Sequence, residues 1–161
     1  MELQHELGLQ APFEDIRHEA VLNVVRTATL LSAKASQLFR RYDLTEAQFN
    51  VLFALKFSSS ETTQAELGKR LVVTRASITS VLDKLESKDF VRRIDVQGNR
   101  RIHHVELTAK GTELIDRVEP IYRDEVHSVL EDFSKDECVI LIDYMEKIRS
   151  RVQDLLSLNT K

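Results

Sequence analysis

Residues 63–108, TQAELGKRLVVTRASITSVLDKLESKDFVRRIDVQGNRRIHHVELT, constrain the fold of this chain more than any other stretch. Thr63 followed by Glu66 spells a capping box. The threonine oxygen accepts from early backbone N–H groups, and the glutamate reaches back to the threonine N–H. The predicted helix behind it is short, with Ala65, Leu67 and Leu71 as its apolar residues. Val72-Val73 make a turn, and Thr74 sits where a second cap is needed. Ile78, Val81, Leu82 and Leu85 then recur at i, i+3, i+4 and i+7, so a second helix carries one apolar stripe. Its opposite side holds Ala76, Ser80, Asp83 and Lys84, flanked by Ser77 and Thr79, with Arg75 beside them. Small residues let a helix backbone approach base edges. Serine and threonine bond phosphates or bases, and alanine can touch a thymine methyl.

A ribbon follows. Phe90, Val91, Ile94 and Val96 make one strand, and Ile102, Val105 and Leu107 make the return. Gln97-Gly98-Asn99-Arg100-Arg101 lies between them as the predicted tip, because glycine beside asparagine is a strong turn signal. Paired arginines on such a tip are placed to enter a narrow minor groove. Short helix, turn, second helix and basic ribbon are the parts of a winged helix-turn-helix, which sets one helix in the major groove of DNA. The candidate DNA contacts are Gln64, Thr74, Arg75, Ala76, Ser77, Thr79, Ser80 and Lys84 on the helices, and Asn99, Arg100 and Arg101 on the wing.

Three segments resemble a known family. LTEAQFNVLFAL (Leu44–Leu55), TQAELGKRLVVTRASITSVLDKLESKDFVRR (Thr63–Arg93) and NRRIHHVELTAKG (Asn99–Gly111) look like the multiple antibiotic resistance regulator (MarR) family. Their order and spacing, in a chain of this length, make the resemblance specific. It implies a homodimeric winged-helix transcription regulator, usually a repressor, released from DNA by a small ligand or by thiol oxidation. The chain departs from the pattern in three places. Asp89 stands where the family often has glycine between the second helix and the wing. Asn99 takes the place of an aspartate before the paired arginines. The interval from Asp95 to those arginines is also about one residue longer than usual.

Net charge is −3, which at first argues against nucleic acid. The distribution answers this: residues 63–110 hold ten Lys/Arg against six Asp/Glu, and the remainder is acidic. A basic module in an acidic chain suits a local, salt-sensitive footprint on DNA. At 161 residues the chain is long enough for one domain with a proper core. Apolar runs are short, Val51–Leu55 among the longest, so no membrane span is expected. The N-terminal residues Glu2, His5 and Glu6 do not fit a secretory signal. A single cysteine excludes an intrachain disulfide and suits the cytosol, so the expected location is cytoplasmic.

The flanking segments read as helices. Asp15 to Arg41 spaces Ile16, Ala20, Val24, Thr27, Leu31, Ala35 and Leu38 by fours and threes. Thr45 with Gln48 is a second capping box, opening a helix with Phe49, Leu52, Phe53 and Leu55 that ends at Ser58-Ser59-Ser60. Thr108 caps a long helix to about Phe133, with Leu114, Val118, Ile121, Tyr122, Val126, Val129 and Phe133 as buried candidates and Pro120 bending it. Ser134 with Glu137 opens the last helix. There Leu141, Met145, Ile148, Val152 and Leu155 form a short heptad-like seam. These stripes exceed what one small winged domain can cover. The expected architecture is therefore mainly α with a small β-wing: residues 45–108 form the DNA-binding lobe, and residues 1–44 and 109–161 a helical dimerisation lobe of one domain. Leu3, Leu7 and Leu9 add to the expected contact with a second copy. A homodimer on a pseudo-palindromic operator of double-stranded DNA follows.

Readings as an enzyme find little: no phosphate loop, no nucleophile elbow and no zinc-type Cys/His spacing, hence no expected cofactor or metal. His103 and His104 are adjacent on a strand and point to opposite faces, so they cannot share one metal without distortion. A small-molecule effector, of the aromatic or amphipathic acid class that relatives often take between the lobes, is one expected trigger. His18, Tyr42, Phe49, Phe53 and Tyr122 are the candidate lining, with Arg17 as anion partner. Redox sensing through Cys138 is a second. A helix N-terminus favours a thiolate, although Asp136 and Glu137 beside it oppose one. A third alternative keeps the fold as a ligand-binding or protein-interaction module without DNA binding.

Overall fold

The computed structural model describes residues 3–58, 62–71, 75–96 and 99–158; for residues 75, 76, 96 and 99–102 it describes the backbone element only. The elements are α1 (Leu3–Glu6), α2 (Ile16–Arg40), α3 (Glu46–Lys56), α4 (Gln64–Arg70), α5 (Arg75–Ser87), β1 (Val91–Val96), β2 (Asn99–Leu107), α6 (Ala109–Val129) and α7 (Lys135–Leu158). They fall into two compact units, Met1–Tyr122 and Arg123–Lys161.

Caps decide most helix starts. Asp15 accepts from Arg17 N at 2.9 Å and opens α2. Thr45 with Gln48 and Thr63 with Glu66 form complete capping boxes at α3 and α4. Glu137 Oε2 accepts from Ser134 N at 2.8 Å at the start of α7. The N–H and O–H donors of Thr63 hold the Glu66 carboxyl below the usual glutamate range.

The first unit builds its core from Leu38, Phe39, Phe49, Leu52, Leu67, Ile78, Leu82, Leu85, Val91, Val105, Ile115 and Val118. Three of the four stripe residues of α5 are thus sealed, and Val81 packs at the core margin. Phe39 stacks on Phe49 with centroids 4.1 Å apart, and Tyr122 packs against both. Lys56 reaches from α3 to Asp116 (3.0 Å) and Glu119 (3.4 Å) on α6. The Asp116 carboxylate, with Glu119, holds Lys56 above the ordinary lysine value.

Two helices end on an aspartate in the left-handed region. Asp43 has φ 54° and Asp89 φ 61°. At the second, Asp89 N donates to Glu86 O and Phe90 N to Leu85 O, both at 2.9 Å, which is the paired closure of a Schellman motif. This explains why a glycine suits the same position: without Cβ the left-handed backbone is free of the side-chain clash. Asp89→Gly is therefore expected to raise stability by about 0.5–1 kcal/mol, read as a higher urea midpoint at unchanged slope. A lower midpoint would show that the aspartate side chain itself stabilises the turn.

The sheet is a two-stranded antiparallel ribbon, β1–β2. Its register runs Val91↔Leu107 to Asp95↔His103 and then jumps to Val96↔Asn99. Residues 100–102 are the surplus on β2, a bulged stretch. Asn99, Arg100 and Arg101 thus belong to the strand and not to a wide turn, because β2 continues past the last regular pair. Gln97 and Gly98 lie outside the described residues. A bridge from Thr63 to His104, with Val105 N donating to Thr62 O at 2.9 Å, adds a third short edge.

Some sequence expectations shift. α6 stops at Val129, four residues early, and the chain turns through Leu130 and Phe133 by N–H bonds to His127 O and Leu130 O. Leu114 and Val118 are buried, as is Ile115, but Ile121, Val126, Val129 and Phe133 are exposed in the single chain. Leu3, expected at a contact between copies, is buried within its own chain, where Glu6 pairs with Arg26 at 3.2 Å. Leu7 and Leu9 remain exposed. α7 buries none of its residues.

Candidate nucleic-acid interface

α4 and α5 are fastened to each other by a polar bond, since Gln64 Nε2 donates to Thr79 Oγ1 at 2.7 Å. The candidate contacts Gln64 and Thr79 are therefore half-buried and engaged, and they orient the second helix. Ser77, Ser80 and Lys84 stand exposed on α5. With Ile78, Leu82 and Leu85 sealed on the other side, α5 has one fixed face inward and a small hydroxylated face outward. Thr74 lies outside the described residues. Arg75 and Ala76 belong to the first turn of α5, and Asn99, Arg100 and Arg101 to β2, with their side chains outside what is described.

The wing is tied to α5 by an arginine that sequence reasoning missed. Arg93 on β1 donates through its guanidinium to Asp83 Oδ1 at 2.7 Å and to Glu86 Oε2, and its backbone N to Glu86 Oε1 at 3.1 Å. Its side chain is only 19% exposed. The i, i+3 spacing of Asp83 and Glu86 puts both carboxylates on one flank of α5, which is the signal that was available. A planar fork held by two carboxylates fixes direction as well as distance. Across the ribbon, Arg92 pairs with Glu106 at 3.1 Å. His103 and His104 do take opposite sides. His103 Nδ1 meets Asp95 Oδ1 at 2.9 Å, and half-buried His104 keeps its Nδ1 without a partner among the described residues.

The surrounding shape matches known proteins. A family model, that of the MarR family, matches residues 42–102. AbsC, a MarR family transcriptional regulator from Streptomyces coelicolor, superposes with a TM-score of 0.81 over 90% of this chain and 99% of its own, at 18% identity. Residues 42–102 thus carry the sequence pattern of the MarR family, and the chain shares the fold of its solved members. Among relatives by sequence, the HTH-type transcriptional regulator PecS of Dickeya dadantii is 27% identical over 80% of this chain and 79% of its own. Sco3205, a MarR family regulator from Streptomyces coelicolor solved in complex with DNA, superposes with a TM-score of 0.79 at 23% identity, covering 89% of this chain and 93% of its own. The family and these relatives are transcription regulators, not enzymes.

The candidate effector residues are dispersed within one chain. Phe49 is sealed in the core, between Phe39 and Tyr122. Phe53 and Phe57 continue that aromatic ladder outward to the surface, with centroids 5.7 and 4.9 Å apart in sequence. Tyr42 lies under the Arg117 guanidinium, 5.5 Å from its centroid. Arg17 and His18 sit at the far end of α2, Arg17 exposed beside Asp15 and His18 edge-on to Phe13. A helix rises about 1.5 Å per residue, so His18 and Tyr42 are about 35 Å apart along α2. No single crevice of one chain takes in both ends, because α2 runs unbroken between them. Among the described residues no helix is long and apolar enough to cross a membrane.

Proposed function

We propose that this protein is a homodimeric, sequence-specific DNA-binding repressor of the MarR family that acts in the cytoplasm on a pseudo-palindromic operator and is released by a small aromatic or amphipathic acid. The observation that carries the DNA reading is the outward face of α5. Ser77, Ser80 and Lys84 are exposed on a helix whose direction Gln64 and Arg93 fix. A wing carrying Arg100 and Arg101 follows directly. The solved complex of Sco3205 with DNA supports the same use of the fold. The proposed organisation is one domain, with residues 45–108 as DNA lobe and residues 1–44 and 109–161 as dimerisation lobe.

The exposed apolar side chains of α7 support a second copy, since monomers rarely expose so extended an apolar surface. A dimer also offers the effector reading a route. The outer aromatics Phe53 and Phe57 stay on the surface of one chain, and a crevice that uses them with Arg17 or His18 draws the two ends of α2 from different copies.

The test is a fluorescence-anisotropy titration against DNA flanking the protein's own gene, over a salt series and with random duplex as competitor. Tight binding that survives competitor is expected. Arg100→Ala with Arg101→Ala should weaken it and lower the log–log salt slope by about 0.9 for each phosphate no longer neutralised. Affinity and slope unchanged in the double variant would remove the wing from the reading, and binding no better than to random duplex would remove the operator.

A further inference from the structure

A cleft of about 350 Å³ opens where the end of α2, the start of α3 and the end of α5 meet. It shares no residue with the candidate effector set. Its charged lining is Arg40, Lys84 and Lys88 against the single carboxylate of Asp43. That carboxylate is already committed, since Lys88 Nζ donates to Asp43 Oδ2 at 2.7 Å and to Asp43 O at 2.8 Å. Lys84 Nζ has no partner among the described residues, and Arg40 spends only Nε, on Ser36 O. The excess positive charge is therefore available to a guest.

A donor on the cleft wall points the same way. Gln48 lines the cleft and is 4% exposed. Its Oε1 accepts from Thr45 N at 2.9 Å in the capping box, which leaves Nε2 with two N–H groups and no acceptor among the described residues. The side chain is held in place by the capping box, and its Nε2 opens to the solvent of the cleft, so an oxyanion guest can replace water as the acceptor. The N-terminal end of α3 also borders the cleft and favours negative charge, while the C-terminal ends of α2 and α5 oppose it. The side-chain cations and the Gln48 amide decide the sign.

We propose that this cleft is an oxyanion site that takes a phosphate group, held by Arg40 and Lys84 and oriented by Gln48 Nε2. The phosphate has two possible sources, the backbone of duplex DNA or a free phosphate-bearing small molecule. The backbone source rests on the DNA reading above, and the free source stands without it.

Thermal unfolding of the full chain in inorganic phosphate, against chloride at equal ionic strength, tests the site. Phosphate at about tenfold over its dissociation constant should raise the midpoint by about 3–6 °C. Two variants should abolish the rise. Arg40→Gln removes an exposed cation that lies outside the candidate DNA contacts, so Lys84 stays in place for the DNA arm. Gln48→Glu keeps the capping-box acceptor but replaces the donor with a charge that repels the guest. The same variants go into the DNA salt series. A phosphate-dependent rise lost in both variants, with the slope unchanged, assigns a free phosphate. A slope lowered by about 0.9 in both variants assigns a backbone phosphate, whether or not free phosphate alone stabilises. A rise of equal size in wild type and variants means adventitious ion binding only and overturns the site. So does the absence of any rise together with an unchanged slope. If the protein binds no operator at all, the thermal arm still decides.

Discussion

Gly111→Ala is expected to lower the thermal midpoint by about 10 °C, corresponding to about 3 kcal/mol in a chain of this size. A Cβ built on Gly111 overlaps the carbonyl oxygen and carbon of Phe90, and both are backbone atoms that no side-chain rotation can clear. The site cannot relax, because the chain around Phe90 is pinned three times. Phe90 N closes the end of α5 on Leu85 O, Thr108 N donates to Phe90 O at 3.1 Å, and Thr108 Oγ1 donates to Asp89 O at 2.6 Å. Gly111 N in turn donates to Thr108 Oγ1 at 3.0 Å, so Thr108 caps α6 with Gly111 at the third position. A capping box would want glutamate there. The close approach of the two helix ends forbids it. The helix-propensity gain of alanine over glycine, about 1 kcal/mol, works in the opposite direction and is smaller than the overlap cost. Lys110→Ala, one residue away, removes a bond from exposed Lys110 Nζ to Lys88 O and the same ammonium's contact with the Phe90 ring, 5.1 Å to its centroid, and should change the midpoint by a few degrees at most. A Gly111→Ala midpoint no lower than that of Lys110→Ala would mean that the junction yields.

This junction shows where a sequence speaks and where it falls silent. The capping pairs Thr45/Gln48, Thr63/Glu66 and Ser134/Glu137 are readable because both partners lie within one turn. The stripe of Ile78, Leu82 and Leu85 is readable because helical periodicity alone sorts it inward. Asp89 registers as a departure from the family's glycine, but only the backbone shows that it has taken the glycine's conformation. The Arg93 bridge to Asp83 and Glu86 joins elements whose relative angle no periodicity encodes. The wing tip fails for a related reason: the turn signal at Gly98-Asn99 is local, whereas the three surplus residues on β2 follow from pairing far from the tip. Least legible is the spatial arrangement of the effector set. Arg17, His18 and Tyr42 read together as aromatic and charged candidates, and an unbroken α2 holds them at opposite ends.

The other large effect concerns α7. Ile148→Asp with Val152→Asp is expected to leave a folded monomer by sedimentation and to weaken operator binding by at least about 100-fold, because the second half-site is no longer reached by a tethered copy. Leu141, Met145, Ile148, Val152 and Leu155 are spaced by four and three, so they fall on one side of α7. Four of the five are exposed in the single chain and Met145 is only half-buried, so the substitutions remove little that the chain itself uses. Two carboxylates introduced there stay solvated in a monomer, and in an apolar contact between copies they are desolvated without a partner. The asymmetry between those two states makes the pair a test of assembly and not of folding. Far-UV circular dichroism should stay helical, and the bond between Gln64 and Thr79 should keep α4 and α5 intact in each copy. Half-site binding is then all that remains, with a salt slope about half that of the dimer because about half as many phosphates are neutralised. A variant that stays dimeric would place the contact elsewhere on the chain. A monomer that binds as tightly as the parent would show that one copy reads the whole operator, and the two-fold reading of the DNA would have to be given up.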